Sequence, residues 1–437
     1  MRRFIQHLKD SGQLEVVTKP VSPILQAPRL ARGRGPVLFE RIDGSQAIVN
    51  LLASRALLAQ ALNVDERGLI RKLLSTAATG KTVVQDLAWD LERTPDLSKL
   101  PVMKFFDRDG GPYITAGVVV AKYGHRINAS VHRMMVVDKT SLAVRLVPPR
   151  HTYLMYKASA KKAEPLNIAV AIGVDPVTLF ATTTRLPCGL EFNYAAALKG
   201  KAQTLIECEN GIPVPPSEIV LEGQISPTRT TNEGPFVDLT GTYDVVRPEP
   251  VIEVTRMVSV KDPIYHSILP AGVEHSLLMG IPYEPQIYNA CKNVTKVKNV
   301  VLTAGGRHYL HAVIQIEKQT EGDAKNVIMA AFAAHTSLKH VVVVDEDIDI
   351  YDADDIEFAI ATRVKGDLDV MVIPNVRGSS LDPRSRSDGT TTRSASMPPH
   401  RWSITGSLRG SINKRLSGFR SVFQDAPREC TSKWRSL

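Results

Sequence analysis

Four consecutive valines, Val341-Val342-Val343-Val344, run from His340 into an acidic turn at Asp345, and no other stretch constrains the fold as tightly. A strand that is apolar on both faces must be covered on both faces, as in a parallel sheet flanked by helices. The neighbouring segments agree. Val300-Val301-Leu302 reads as a strand before it, residues 325–335 carry a helical pattern between the two, Ala353–Arg363 reads as a second helix, and Val370-Met371-Val372-Ile373 as a further strand. The spacing predicts a βαβ arrangement after about residue 285, with ligands expected at the carboxyl ends of its strands.

Upstream the pattern changes. Residues 1–95 read as a small α/β unit: Phe4, Ile5 and Leu8 fall at helical spacing, Leu14-Glu15-Val16-Val17 reads as a strand, and 52–75 as a helical stretch. From about 112 short β-rich runs take over, at Tyr113–Val120, Met134–Val137, Ala143–Val147, Ile168–Ile172 and Ile219–Leu221. Their spacing predicts an antiparallel barrel or sandwich. The expected fold class is α/β plus β: an N-terminal α/β unit (1–95), a central β unit (96–288) and a C-terminal α/β domain (289–383). Residues 384–437 are rich in Ser and Arg without a sustained period, and are expected to form a basic, disordered tail.

That tail explains the charge. It holds eleven Lys/Arg against three acids, so +8 of the chain's +9 lies beyond residue 383 and the body is close to neutral. A basic groove across the fold, which nucleic-acid binding would need, is not expected; a nucleic-acid role would have to rest on the tail alone. No run of eighteen apolar residues suggests a membrane span, and the N-terminus carries no signal core. The four cysteines are widely spaced and form no CxxC pair, which points to a reduced, cytoplasmic setting.

Candidate chemistry is scattered. Asn128, His151, Glu222 and the cluster Asp345-Glu346-Asp347-Asp349 offer hard or borderline metal donors, but the cluster lacks the glycine and final glutamate of a calcium loop. A lone histidine is by default structural. Glu274-His275 follows Leu269-Pro270-Ala271-Gly272-Val273 at a helix entrance, where a carboxylate is ordinarily a cap or dipole partner. Arg133 lies in a β segment, where an ion-pair partner is the ordinary reading. Gly305-Gly306-Arg307 follows a strand without completing GxGxxG, and Walker A, GxSxG and HExxH are absent. The residues alone indicate a cytoplasmic α/β plus β enzyme with an unassigned site.

From residue 1 to about 383 the order of several segments resembles the UbiD decarboxylase family. Gly35-Pro36-Val37-Leu38-Phe39-Glu40 is similar to its N-terminal region, and Asp109-Gly110-Gly111-Pro112-Tyr113-Ile114-Thr115 to its entry into a split β-barrel. More specific are Asn128-x-Ser130-x-x-Arg133, Arg145-Leu146-Val147, Arg150-His151, and Ser217-Glu218-Ile219-Val220-Leu221-Glu222-Gly223 followed by Glu233-Gly234-Pro235-Phe236. Asp262-Pro263-Ile264-Tyr265-His266 then leads into the Glu274 loop, and Val344–Asp349 and Ala359–Arg363 match the last domain.

The resemblance implies a central flavin-binding split barrel and a prenylated FMN that adds to an unsaturated acid and draws electrons while CO2 leaves. It implies Asn128 and Glu222, with His151 as a third, as ligands of Mn2+ or Mg2+, with K+ a further ion. Val131, His132, Arg133, Arg145, Leu146, Val147, Arg150 and His151 would line the flavin. Arg133 would clamp the substrate carboxylate and Glu274 would give the proton to carbon. On that reading Arg133→Ala and Glu274→Gln each abolish turnover with the fold intact, and Glu222→Ala loses metal and flavin together. A flavin prenyltransferase as cofactor supplier and a homo-oligomer are also implied. The overall similarity is to compact archaeal members that turn a phosphorylated methylpentenoate into isopentenyl phosphate; the alternative within the family is a 4-hydroxybenzoate-type acid.

The resemblance fails after Thr392. The family would continue with a lysine and an Ile/Leu-Asp-Ala-Thr stretch enclosing the flavin phosphate, whereas this chain reads Arg393-Ser394-Ala395-Ser396-Met397. Codons that encode Ala395–Trp402 also encode Ile-Asp-Ala-Thr-Ala-Pro-Val in another frame, which suggests a reading-frame shift near 384–395.

Overall fold

The computed structural model describes residues 1–86 and 89–398. Its first sheet places β1 (Glu15–Val17) parallel to β2 (Val37–Ile42), and β2 antiparallel to β3 (Ser45–Val49). Helix α1 (Arg2–Asp10) packs there through Ile5 and Leu8, and α2 (Gln26–Ala31) lies between β1 and β2. The helical stretch expected over 52–75 is two helices, α3 (Arg55–Ala61) and α4 (Leu69–Ser75). Ser54 caps the first, and Asn63 at φ 54° breaks the run between them.

The units are less separable than the expected boundaries. β4 (Thr82–Gln85) leaves the N-terminal unit to pair with β10 (Gln203–Glu207), which also carries β11 (Pro213–Val214). Conversely β16 (Ile264–Ser267), expected in the central unit, completes the first sheet parallel to β3. All four of its residues are buried, so two-face cover rather than chain proximity decides its place.

The central unit is a closed antiparallel barrel of six strands. In order round the wall they are β12 (Ile219–Glu233), β9 (Leu166–Ile172), β6 (Tyr113–Tyr123), β7 (Arg126–Val136), β8 (Ser141–Val144) and β15 (Arg247–Ser259), which pairs back with β12. β5 (Leu91–Arg93) adds to the outside of β15. Closure removes free edges and settles barrel over sandwich. In β6 the residues Tyr113–Ala121 are buried on both faces: the inner side meets the barrel core, and the outer side is covered by α6 (Pro176–Thr183) and α7 (Glu191–Lys199). Helix α5 (His151–Ala160) follows β8, and β13 (Phe236–Val237) and β14 (Tyr243–Asp244) pair beyond the end of β12.

Helix α8 (Val273–Gly280) leads out of the barrel into α9 (Glu284–Cys291) and the last domain. A Cβ on Gly280 would sit 1.5 Å from the His308 carbonyl oxygen, so only glycine allows this approach. The C-terminal sheet comprises β17 (Lys296–Leu302), β18 (His311–Glu317), β19 (His340–Asp345), β21 (Thr390–Ser396) and β20 (Val370–Arg377), side by side in that order. Helices α10 (Asp323–Ala334) and α11 (Ala353–Arg363) cover its two faces. The valine strand β19 has parallel neighbours on both sides, as expected. Two expectations change. The βαβ unit begins at β18, not at 300–302, and β17 is antiparallel to it. The ordered domain does not stop at 383: β21 lies between β19 and β20, because a buried parallel strand needs a hydrogen-bonding neighbour on each edge. Residues 399–437 of the expected tail lie outside the described residues. Among the described residues no helix is long and apolar enough to cross a membrane.

Candidate active site

Two polar constellations lie on the barrel. The first sits where β7 meets the start of α5. Asn128, Ser130 and His132 alternate along β7 and so project from one face. Asn128 Nδ2 donates to Ser130 Oγ (3.1 Å) and Thr152 Oγ1 (3.0 Å), while its Oδ1 accepts from His151 Nδ1 at 3.1 Å. His151 therefore carries its proton on Nδ1 and keeps the Nε2 lone pair, and burial, then Arg185 and Arg150, lowers its pKa. His132 Nδ1 donates to the Arg145 carbonyl (3.1 Å), its Nε2 lies 2.9 Å from Ser130 Oγ, and burial keeps it neutral. The Arg145 amide donates to the Arg133 carbonyl (3.2 Å), which draws the 145–147 stretch against β7. Arg145 itself is held by Glu249 at 2.5 Å. Leu146 is buried, whereas Val147 and Arg150 are exposed on the rim, with Arg150 donating to Tyr283 OH at 3.2 Å. The structure thus brings Asn128, His132, Arg145, Leu146, Val147, Arg150 and His151 into one neighbourhood, whereas Val131 and Arg133 alternate with Asn128 and His132 along β7 and project from its other face, Val131 packing with the cluster of α6 and α7.

Glu222 is not part of it. Its register runs through Ala169 on β9 and Val120 on β6 to Ala129 on β7, three strand spacings or about 14 Å along the wall. Its carboxylate is taken by Arg256 on the facing strand (2.5 Å) and by the Asn210 amide (3.0 Å). The expectation that Glu222 joins Asn128 and His151 is corrected: the pattern around it reflects a buried ion pair. The acid that does approach is Glu191, at the start of α7. It is 4% exposed and makes no ion pair among the described residues. Burial pushes its carboxyl up to about 7 against the pull of the backbone N–H groups of Glu191 itself, Ala129 and Gly189. Sequence reasoning missed it because an acid in the first turn of an alanine-rich helix looks like a dipole partner. Among the described residues no three His, Cys, Asp or Glu side chains converge; the set here is an amide oxygen, an imidazole and a carboxylate.

The second constellation surrounds Arg133. Its guanidinium donates to Glu233 (2.9 Å), Asp238 (2.8 Å) and Asp244 (2.8 Å), and lies 4.7 Å from the centre of the Phe236 ring. Glu233 is fully buried, while Asp238 and Asp244 keep some accessible surface. Burial works to raise the Asp244 carboxyl, but Arg247 and Arg133 override it and hold it at about 2. Arg133 is thus neither a surface ion-pair partner nor a free clamp; three carboxylates already hold it. Beyond Asp238, at 4.0 Å, stands His275 Nε2, whose ring accepts the Ala271 amide at Nδ1 (3.2 Å).

Glu274, the residue before His275, is completely buried. It does not cap its own helix. Its Oε1 accepts the Leu52 amide, from the turn after β3, at 2.8 Å and stands 3.5 Å from His266 Nε2; Oε2 has no partner among the described residues. It is the neighbouring His275, not the Glu274 carboxyl, that faces the Arg133 cage, through Asp238.

A closed six-stranded barrel with α/β units on either side is the architecture of the UbiD-class enzymes. The UbiD-class enzyme HmfF from Pelotomaculum thermopropionicum in complex with FMN superimposes with a TM-score of 0.89, at 35% identity over 96% of this chain and 99% of that one. An evolved dimeric form of the same enzyme in complex with prFMN gives 0.84 at 33% identity, over 93% and 97%. The chain belongs to the UbiD family of carboxy-lyases: it matches the 3-octaprenyl-4-hydroxybenzoate carboxy-lyase N-terminal domain over residues 5–77, the Rift-related domain over 77–273 and the C-terminal domain over 276–397. Its curated relatives include the anhydromevalonate phosphate decarboxylase of Methanosarcina mazei, 59% identical over 90% of this chain and 94% of that protein. The enzyme of the same name from Methanothermobacter thermautotrophicus is 48% identical over 90% and 95%.

Proposed function

We propose that this protein is a non-oxidative decarboxylase using prenylated FMN, and that it converts trans-anhydromevalonate 5-phosphate to isopentenyl phosphate and CO2 in the cytoplasm. The observation that carries the reading is the Arg133 guanidinium on β7, held by Glu233, Asp238 and Asp244, the last two of which keep accessible surface; the substrate follows from the relatives' shared activity. The residues at the first constellation fit the cofactor. Neutral imidazoles, an amide oxygen and a carboxylate are donors that hard or borderline divalent ions accept, and exposed Val147 beside them offers apolar surface to a ring system. Asn128, His151 and Glu191 would hold Mn2+ or Mg2+, with His132, Arg145, Leu146, Val147 and Arg150 around the flavin. When bound, the prenylated flavin supplies the electron sink for carbon–carbon cleavage.

The chain's own residues do the rest. A substrate carboxylate reaches Arg133 by displacing Asp238 or Asp244, the two accessible members of the cage. Glu274, whose Oε1 accepts the Leu52 amide and whose Oε2 has no partner among the described residues, gives the proton to the carbon that CO2 leaves. A flavin prenyltransferase supplies the cofactor, and the working form is a homo-oligomer. The test is turnover by protein co-produced with a flavin prenyltransferase, offered the phosphorylated acid and a 4-hydroxybenzoate in parallel. Isopentenyl phosphate from the first substrate alone is expected; turnover of the aromatic acid alone would overturn the substrate assignment.

A further inference from the structure

Helix α8 and the short turn that follows it, Ile281–Tyr283, join the two constellations. In the first turn of α8, His275 Nε2 stands 4.0 Å from Asp238 of the Arg133 cage. Eight residues on, the Tyr283 hydroxyl accepts from the guanidinium of Arg150, the residue that precedes α5, at 3.2 Å. At about 1.5 Å per residue the two contacts lie about 12 Å apart along the helix. Glu274, Ser276, Leu277, Leu278 and Gly280 are buried, whereas His275 and Met279 keep accessible surface and, four residues apart, share one face. That face runs from the Arg133 cage towards Arg150.

Arg150 is an uncommitted cation. Its side chain is exposed, and among the described residues it makes no ion pair and gives its side-chain hydrogen bond to a neutral hydroxyl. The other guanidiniums of the two constellations are taken: Arg133 by three carboxylates, Arg145 by Glu249 and Arg247 by Asp244. The hydroxyl partner is rigid. The Tyr283 ring stacks on His335 with centroids 4.0 Å apart and meets Tyr309 edge-on at 5.8 Å, while His335 Nε2 donates to the Tyr309 carbonyl at 2.9 Å. A hydroxyl that accepts from a guanidinium still has its own hydrogen to give. Arg150 and Tyr283 therefore hold a charged fork and a fixed O–H side by side, a donor set that suits a phosphate monoester. His151, next in sequence, turns the other way, to Asn128 Oδ1, so this pair is separate from the three donors assigned to the metal.

We propose that Arg150 and Tyr283 form the subsite for the phosphate end of the substrate, and so select a phosphorylated acid over an aromatic one. The inference rests on the decarboxylation proposed above, with the substrate carboxylate at Arg133. In an extended trans-anhydromevalonate 5-phosphate the carboxyl carbon and the phosphorus lie about 7 Å apart, at a reach of about 3.5 Å per three bonds. With a guanidinium roughly 4 Å from each anion, the bound molecule calls for two arginines about 15 Å apart. The accessible face of α8, with a side chain reaching out at each end, has that length. Met279 and Val147 keep accessible surface and offer apolar contact to the methyl-bearing middle of the substrate. A 4-hydroxybenzoate presents a neutral hydroxyl at its far end and gains nothing from the Arg150 charge. The flavin carries a phosphate of the same chemistry, and the experiment separates the two sources.

The experiment measures kcat/KM of flavin-loaded enzyme for the phosphorylated acid and for its unphosphorylated hydroxy acid, and reads their ratio, in which any common loss of flavin cancels. Arg150→Met, which keeps length and removes the charge, should lower that ratio by about 10- to 100-fold, chiefly through KM for the phosphorylated acid. Arg150→Lys should restore part of it, and Tyr283→Phe should lower it by about 3- to 10-fold. Calorimetric titration with isopentenyl phosphate should show the same order of weakened binding, and FMN retained through gel filtration should stay near the parent level in Tyr283→Phe. If Arg150→Met does not fold, Arg150→Gln takes its place with the same outcomes. An unmoved ratio in the folded Arg150 variant overturns the proposal, as does loss of FMN with the ratio unmoved, which would give the cation to the flavin phosphate. A parent enzyme that makes no isopentenyl phosphate would remove the substrate reading and the subsite with it, whereas an active parent with unmoved ratios in the variants would remove the subsite alone.

Discussion

Replacing Arg133 by alanine should unfold this protein more easily as well as stop it working, and the size of the effect follows from the cage. The guanidinium is 10% exposed and bonds to three carboxylates. Two of them have recourse without it: Arg247 still holds Asp244 at 2.7 and 2.8 Å, and Asp238 accepts the Leu239 amide at 2.7 Å and keeps some solvent. Glu233 is fully buried, with Arg133 as its ion-pair partner and, among the described residues, only the neutral Tyr113 hydroxyl as a further hydrogen-bonding neighbour. Stranding one member of a buried pair costs about 3–5 kcal/mol. A stranded carboxylate can escape by taking a proton, at about 1.4 kcal/mol per pH unit above the ordinary glutamate value near 4.3, so at pH 7 the ceiling is roughly 3.7 kcal/mol. At pH 5 the same argument leaves about 1 kcal/mol. Urea unfolding of Arg133→Ala at the two pH values, followed by circular dichroism, measures this directly. Adding Glu233→Gln to Arg133→Ala should recover most of the loss at pH 7. An Arg133→Ala protein within about 1 kcal/mol of the parent at pH 7, or equally destabilised at both pH values, would refute the cage argument. The expectation from sequence that this change spares the fold is thereby revised.

Glu222→Gln should cost about 1–3 kcal/mol through the weakened Arg256 pair while divalent-metal content, read by elemental analysis, stays at the parent level; Glu191→Gln should lose the metal with little change in unfolding. Metal lost from the first variant and kept by the second would reverse the assignment. Asp244 supplies a pH test. Its folded value of about 2 lies below that of a free aspartate, so its contribution of roughly 2–3 kcal/mol is complete above about pH 4 and disappears as pH falls towards 2. Asp244→Asn should flatten that segment of the stability–pH curve, and an unchanged slope would show that the acid sensitivity lies elsewhere.

What could be read from sequence follows how local each signal is. β19 and α11 were legible to the residue, because Val341–Val344 and the periodicity of 353–363 need no knowledge of partners. β18 was missed because His311–Glu317 follows the Gly305-Gly306-Arg307 turn and its short apolar run, Ala312-Val313-Ile314, does not alternate, so it reads equally as loop flank. β16 and β21 were misplaced because membership of a sheet is decided across the chain, by which edge lacks a neighbour. The site divides in the same way. Asn128, His132 and His151 come together because β7 and α5 are adjacent in sequence and space. Glu222 and Glu191 were interchanged because both are acids beside apolar runs, and only the Arg256 contact and the opposing burial of Glu191 separate them. The Glu274–His266 contact joins a helix to a sheet through a turn, and no spacing rule could reveal it.

The last prediction concerns β21, where the resemblance ends. This strand lies inside the sheet, with His340–Val342 parallel to Ser394–Ser396 on one side and β20 antiparallel on the other. Such a position calls for apolar side chains, yet it holds Arg393, Ser394 and Ser396. Arg393 is 6% exposed and its guanidinium is spent on the carbonyls of Phe332 (3.0 Å), Thr336 (2.5 Å) and Arg377 (2.8 Å); burial lowers its pKa, and its Nε has no partner among the described residues. Ser396 is equally buried with its Oγ unpartnered. Each such orphan costs about 1–3 kcal/mol, a poor sequence for the middle of a sheet. The match to the family's C-terminal domain stops at residue 397. In the shifted frame the codons for Ala395 and Ser396 contribute an isoleucine, which would fill the Ser396 position with apolar volume, followed by Asp-Ala-Thr. With Arg393 committed to three carbonyls, it is not free to serve a flavin phosphate. We therefore expect a reading-frame shift near codon 393. Sequencing the DNA across codons 380–400 should reveal it. A chain restored to the shifted frame should resist urea better and retain FMN more fully than the chain as written. An unbroken frame, together with full flavin occupancy in the chain as written, would refute the argument.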